Sequence, residues 1–361
     1  SPFPQKLAIT SLGNSVATPV NGVEAEVVLF ESLAALRAAP DDSLAGKIAY
    51  VGHAMKRTQD GSSYGHFVRL RSAGAVEAGR RGAIATLIRS IGTDSHRMPH
   101  TGNMSYASDV TPIPIAALSN PDADLLERMA ERGQSLRIKL TLTPSYTGVV
   151  ESGNVVAELP GSDLADELVV IGGHLDSWDL GTGAIDDGAG VAITMEVLRR
   201  IKQAGLKPRR TVRLVLWGSE EVGLLGGYAY ADKHKDTLRN HVIGTESDFG
   251  AGRIWKITRS INDQAKPVAD KIAELVEPLG IAPGSDGVRS SGPDLSPMNS
   301  LGFPGFRFVQ DGSDYFDLHH TPDDTLDKID PAAMDQNVAA YLVFVWMAAN
   351  SNVSDWGWPA E

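Results

Sequence analysis

Residues 168–201 read LVVIGGHLDSWDLGTGAIDDGAGVAITMEVLRRI, and three signals follow one another in that stretch. The β-branched run Leu168 to Ile171 predicts a short buried strand, and Gly172-Gly173-His174-Leu175-Asp176 follows it directly. A glycine-rich segment leads to Asp186-Asp187, and apolar residues at helical spacing predict a helix over Ala189 to Gln203. Strand, polar or acidic terminus, then helix is the rhythm of an α/β protein.

The rhythm recurs on the C-terminal side. Strands are predicted at Val212 to Trp217, Val242 to Thr245, Trp255 to Thr258 and Gly305 to Val309, and helices at Leu224 to Lys235, Pro267 to Leu279 and Ala332 to Ala349. Parallel strands with crossover helices fit this order. On the N-terminal side, from Val23 to about Leu142, a smaller α/β unit is expected. Its strands are Glu26 to Phe30, Lys47 to Val51, Ala83 to Ile88 and Ile113 to Leu118, and its helices Leu33 to Ala39, Phe67 to Arg81 and Asp122 to Arg132. The fold class is therefore α/β, with a mostly parallel central sheet flanked by helices and a second, smaller α/β unit.

Composition narrows the function. The chain has 361 residues, 42% hydrophobic and 22% charged, an ordinary globular balance. Thirty-three Lys and Arg against 45 Asp and Glu give a net charge of -12, which speaks against a nucleic-acid partner. The longest dense apolar run, Ala339 to Ala349, is well short of the roughly 20 residues that span a bilayer, so no membrane is expected. With no cysteine, disulfides, thiolate zinc sites and cysteine nucleophiles are excluded, and a metal site must use His, Asp and Glu. The start, Ser1-Pro2-Phe3-Pro4, lacks an initiating Met, which predicts a processed chain whose leader is gone. Periplasmic or secreted placement is expected, with a cytoplasmic one left open.

In open α/β sheets ligands bind beyond the carboxyl ends of the strands. The residues there are His174 and Asp176, Glu220-Glu221, and Asp248, and a late loop adds His319-His320. Two imidazoles and several carboxylates without sulfur suit zinc, with Mn or Co as possible occupants. One hydrolytic zinc needs about three protein ligands, and His174, Asp186, Glu221, Asp248 and His320 exceed that, so two ions are expected. Asp186 would bridge them, because the glycine-rich loop lets its backbone approach, while Asp187 is turned away. His174 and Asp248 would complete one ion, Glu221 and His320 the other. Asp176 is the expected acceptor that fixes the His174 tautomer. Glu220 and Glu221 are adjacent and point in different directions, so one ligates and the other, Glu220, serves as general base.

The strings GGHLDSWDLGTGAIDDGAG, RTVRLVLWGSEEVGLLGG, TESDFG and HHTPDDTLDKID resemble the di-zinc aminopeptidase superfamily. GAVEAGRRGAIATLIRS resembles the protease-associated domain inserted in such enzymes, and GPDLSPM at Gly292 to Met298 fits the same family. The resemblance implies a zinc exopeptidase fold and the ligand set His174, Asp186, Glu221, Asp248 and His320, with Asp186 bridging and Glu220 as base. It also implies a cis peptide at Asp186-Asp187. Of the paired histidines it favours His320 as the ligand, which leaves His319 to face substrate, and Asp294 is a further substrate-binding candidate. The domains expected are 1–20 as an incomplete N-terminal part of the peptidase domain, 21–145 as the protease-associated insert, and 146–361 as the catalytic domain.

The function expected is metal-dependent exopeptidase cleavage of dipeptides or of N-terminal residues of short peptides, by water activated between two zinc ions, with Glu220 as base. Its alternatives are a single-zinc acyl transferase of the glutaminyl cyclase type and a non-catalytic, receptor-like binding module. The loop Gly284 to Ser300 is expected to set side-chain preference, and a homodimer is left open. Gly61-Ser62-Ser63-Tyr64-Gly65 matches a nucleophile-elbow string but follows a polar segment, and Gly181-Thr182-Gly183 lacks the third glycine of a dinucleotide site. The segment His96 to His100 with Asp94 reads as a surface loop without chemistry.

Overall fold

In the computed structural model, which describes residues 4–287 and 291–359, the chain forms two compact units. One comprises residues 1–150 with Phe316–Asp323; the other comprises Glu151–Tyr315 with residues 324–361.

In the first unit β1 (Ile9–Ser11), β2 (Val23–Phe30), β3 (Ile48–Val51), β4 (Ala85–Arg89), β5 (Ile115–Leu118) and β6 (Arg137–Leu140) form one sheet, ordered β1-β5-β4-β3-β2-β6. Strands β2 to β5 are parallel, and β1 and β6 close the edges antiparallel. Ile9 to Ser11, within the segment 1–20 expected with the peptidase domain, pair here with Leu118 to Ala116. The backbone ladder of a short edge strand leaves no mark in local sequence, so its partner was not legible. The helix Asn120–Glu131 starts where Ser119 accepts from the Asp122 backbone, with Pro121 in its first turn.

The second unit holds β7 (Val155–Leu159), β8 (Leu164–His174), β9 (Arg210–Trp217), β10 (His241–Glu246), β11 (Ile254–Ser260) and β12 (Gly305–Gln310), ordered β11-β12-β10-β8-β9-β7. The four central strands are parallel; β7 and β11 run antiparallel at the edges. Alternation along β8 and β9 splits their side chains between two cores. Val169, Ile171, Val212 and Leu214 pack with the helices Ala189–Gln203, Lys266–Val276 and Pro331–Asn350. Val170, Val215 and Trp217 pack with Tyr230, Leu295, Met298 and Phe303. Helices thus cover both faces, which is what a buried parallel sheet requires.

Register positions the functional residues. His174 of β8 is level with Trp217 of β9, and Gly172 of β8 with Glu246 of β10. Each strand therefore delivers its polar terminus to the same edge of the sheet. The helix Ala189–Gln203 begins so close to this edge that a Cβ on Gly190 would collide with the Ser247 carbonyl. Only glycine fits there.

Candidate metal centre

His174 is buried at the end of β8, and its two ring nitrogens face different chemistry. Nδ1 lies 2.7 Å from the Asp176 main-chain oxygen, an obligate acceptor, so Nδ1 carries a proton. Nε2 lies 3.1 Å from Asp186 Oδ1 and 3.6 Å from Asp248 Oδ1. Two carboxylate oxygens this close to Nε2 call for positive charge there, from a second ring proton or from a metal ion.

Asp176 accepts from His174 through its main-chain oxygen, and its carboxylate stands 3.8 Å from the same nitrogen. The carboxylate accepts from the Glu220 N–H at 2.9 Å and the Glu221 N–H at 3.1 Å, tying the turn after β9 to the turn after β8. Glu221 Oε2 also accepts from the Trp178 indole at 2.6 Å. Asp187 turns away from Asp186: its oxygens take the His174 N–H at 3.0 Å and the Gly190 N–H at 3.2 Å. The peptide bond between the two aspartates is cis.

Two groupings of side chains in this unit have ligand atoms within 4.8 Å of one another: His174 with Asp186 and Glu221, and His174 with Asp187 and Asp248. Electrostatics fits the same picture. Burial pushes Glu220 up to about 10, helped by Asp248, and holds Asp187 well above the usual carboxylate range. Burial opposes charging of His174, but Asp186 and Asp248 outweigh it and raise the ring well above its ordinary value. Among the described residues Asp187, Glu220 and Asp248 form no ion pair with a lysine or arginine. A buried nest of carboxylates around one imidazole has the donor set and charge that suit a divalent metal.

Three acids escaped sequence reasoning or took unexpected roles. Asp324 accepts from the Ile185 N–H at 2.6 Å and the Asp186 N–H at 3.2 Å, bracing the loop that presents Asp186; burial pushes it up to about 6. Glu246, last residue of β10, is buried and takes the Asp294 N–H at 3.0 Å. Asp294, expected to meet substrate, is itself buried, which pushes it up to about 7. Nothing in local spacing distinguishes such acids from capping residues. The loop expected to set side-chain preference includes residues 288–290, which lie outside the described residues.

His319 and His320 lie in the segment that groups with the first unit. Their rings stack at 3.5 Å, and His320 Nδ1 lies 3.1 Å from the Thr101 carbonyl. The same nitrogen lies 3.3 Å from Arg71 Nη1, so Nδ1 stands between an acceptor and a donor. The Asp94 to His100 segment is not a surface loop throughout, because Asp94 and His100 are buried and paired at 2.8 Å. His100 Nδ1 reaches the His319 carbonyl at 2.7 Å and so holds the histidine segment from behind.

The sequence pattern described as Peptidase family M28 matches residues 154–345. The chain is 37% identical over 349 residues to carboxypeptidase Q of Xenopus laevis, covering 97% of this chain and 72% of that protein. It is 35% identical over 345 residues to carboxypeptidase Q of Homo sapiens, covering 96% and 71%. The crystal structure of a peptidase M28 precursor from Shewanella amazonensis SB2B has a TM-score of 0.92 at 49% identity and covers all of this chain and 81% of that one. A zinc aminopeptidase from Bacillus subtilis shares the fold, with a TM-score of 0.67 at 18% identity over 98% of this chain and 83% of that one.

Proposed function

The chain belongs to peptidase family M28, and from that premise we propose that it is a two-zinc exopeptidase that hydrolyses dipeptides or removes N-terminal residues from short peptides. The observation that carries this reading is the approach of Asp186 and Asp248 to Nε2 of His174, at 3.1 and 3.6 Å. The residues that would hold the ions are His174 and Asp248 for one, Glu221 and His320 for the other, with Asp186 shared. Zinc, when bound, would polarise the scissile carbonyl and lower the pKa of water from 15.7 to about 7.

The chain's own groups do the rest. The Asp176 carbonyl orients the His174 ring, and the Asp176 carboxylate sets the turn from which Glu220 and Glu221 diverge. Glu220 takes the proton of the attacking water and delivers it to the leaving amine, a role worth about 10² to 10⁴ in rate. The surplus of acidic groups, Asp294 among them, suits the free ammonium of a substrate N-terminus.

Glu220→Gln tests this assignment. Elemental analysis should find zinc retained at two ions per chain, while kcat on a dipeptide falls about 10²-fold or more. A fully active Glu220→Gln protein removes this residue from the mechanism, and one ion in the active protein favours single-zinc chemistry.

A further inference from the structure

The strand β6 lies at one end of the first unit's sheet and pairs only with β2. The Val27 N–H donates to the Leu136 carbonyl at 2.9 Å, and antiparallel bonding alternates along the ladder, so Leu136, Ile138 and Leu140 exchange their bonds with β2. The N–H and C=O groups of Arg137 and Lys139 therefore point away from the sheet, where, among the described residues, no strand meets them. Such an edge is a template for a further strand.

A groove of about 970 Å³ lies against this edge, at the upper end of the roughly 300–1,000 Å³ of ligand sites. Residues 135–141 all line it, side chains from both faces of β6 included, so the strand meets the groove edge-on. Leu87, Leu118, Leu126 and Leu140, all buried, give it an apolar floor, and the half-buried Leu125 and Met129 of the helix Asn120–Glu131 add to it. Every lining residue belongs to the first unit.

The charges specify the rest. Along β6 the exposed Arg137 and Lys139 alternate with Leu136, Ile138 and Leu140, and on β2 they stand opposite Glu26 and Glu24. Arg137 bonds to Glu24 at 3.4 Å, and Glu26 meets Lys47 at 3.7 Å. Among the described residues Lys139 has no ion pair, and neither has Lys6, which lines the same groove. Opposite charges on neighbouring strands stabilise a sheet, so a strand added beside β6 gains from acids on its outward face and apolar residues on its inward one. We infer that this groove holds an extended segment of a partner polypeptide, apolar and acidic at alternate positions, added to the sheet beside β6. The segment's backbone bonds to Arg137 and Lys139, its apolar side chains cover the leucine floor, and its carboxylates stand beside the two cations.

The test titrates the zinc-loaded protein calorimetrically with two heptapeptides, acetylated at one end and amidated at the other. One alternates Glu and Val, the other Lys and Val. Neither has a free terminus for an exopeptidase to engage, so the outcome stands apart from the exopeptidase reading. The Glu peptide should bind with a Kd of about 1 mM or tighter, and more tightly than the Lys peptide by about fivefold or more. Lys139→Glu leaves the ladder to β2 untouched and should bring that ratio close to one. Lys139→Pro removes an outward N–H and should weaken the Glu peptide by about fivefold or more. Saturating Glu peptide should slow hydrogen exchange at the Arg137 and Lys139 amides of wild type by about tenfold or more. A wild type that binds neither peptide or favours the Lys peptide, a preference that survives Lys139→Glu, or unchanged exchange at those two amides overturns the inference. Should Lys139→Pro fail to fold, Lys139→Glu and hydrogen exchange decide.

Discussion

His241 sits where an imidazole is held neutral. It is buried, its Nδ1 lies 3.2 Å from the Leu238 carbonyl, and its Nε2 lies 2.8 Å from the Tyr230 hydroxyl. Arg213 donates to that same hydroxyl at 2.8 Å, so the hydroxyl's proton goes to Nε2. Burial, with Arg213 adding to it, lowers His241 to about 4, against about 6.5 for the ring in an unfolded chain. Between those values the unfolded state binds the extra proton. Stability is therefore full above pH 6.5 and drains away as pH falls toward 4, by about 3 kcal/mol at most from this group. Urea midpoints between pH 7 and 5 should show a shallower slope in His241→Gln than in wild type; an unchanged slope would clear His241 of the effect. At this scale the metal-binding residue types were legible because they follow strands that the sequence pattern marks. The use of Asp176 was not. The expected acceptor is there, but nothing in the sequence shows that the main-chain oxygen meets the ring while the carboxylate takes two N–H groups.

Among the elements, β9 is tied to the C-terminal helix Pro331–Asn350 and the residues after it by Arg210, 1% exposed at the strand's first position. Its Nε meets Glu167 at 2.6 Å, Nη1 donates to the carbonyls of Ala348 and Ser351, and Nη2 to that of Val353. Arg210→Met would strand those carbonyls and remove the partner of Glu167, at a cost of about 3 kcal/mol. Urea unfolding should register that loss, with Arg210→Lys recovering part of it, and a loss below about 1 kcal/mol would show that water replaces the clamp. The helices Ala189–Gln203, Leu225–Lys233, Lys266–Val276 and Pro331–Asn350 were legible to within three residues at their ends, while the short helix Ser296–Ser300 was not. The edge strands β6 and β7 were not. Both are short and largely exposed, so only their ladders reveal them.

For the molecule as a whole, metal and stability should be linked. An ion that binds only the folded state stabilises it by about 2.7 kcal/mol at one hundred times its dissociation constant. Calorimetry with added zinc should therefore move unfolding upward by about 4 °C, and chelation should reverse the shift. His174→Ala should abolish most of it, and a transition indifferent to zinc and chelator would remove the metal from this site. The presence of two α/β units was legible from two runs of strand and helix separated near Thr143-Pro144-Ser145. The allocation of Phe316–Asp323 was not, because it depends on contacts between residues far apart in the chain.

That allocation has a consequence for biosynthesis. The Phe316 carbonyl takes the Thr93 N–H at 2.9 Å, the His320 carbonyl takes the Thr101 N–H at 3.0 Å, and Asp317 pairs with Arg57 at 2.7 Å. All six strands of the second unit precede residue 316. On the ribosome, the first half of the polypeptide therefore emerges without the segment that caps Tyr64, Arg71 and His100. It must wait, unfinished, until every strand of the second unit has been translated.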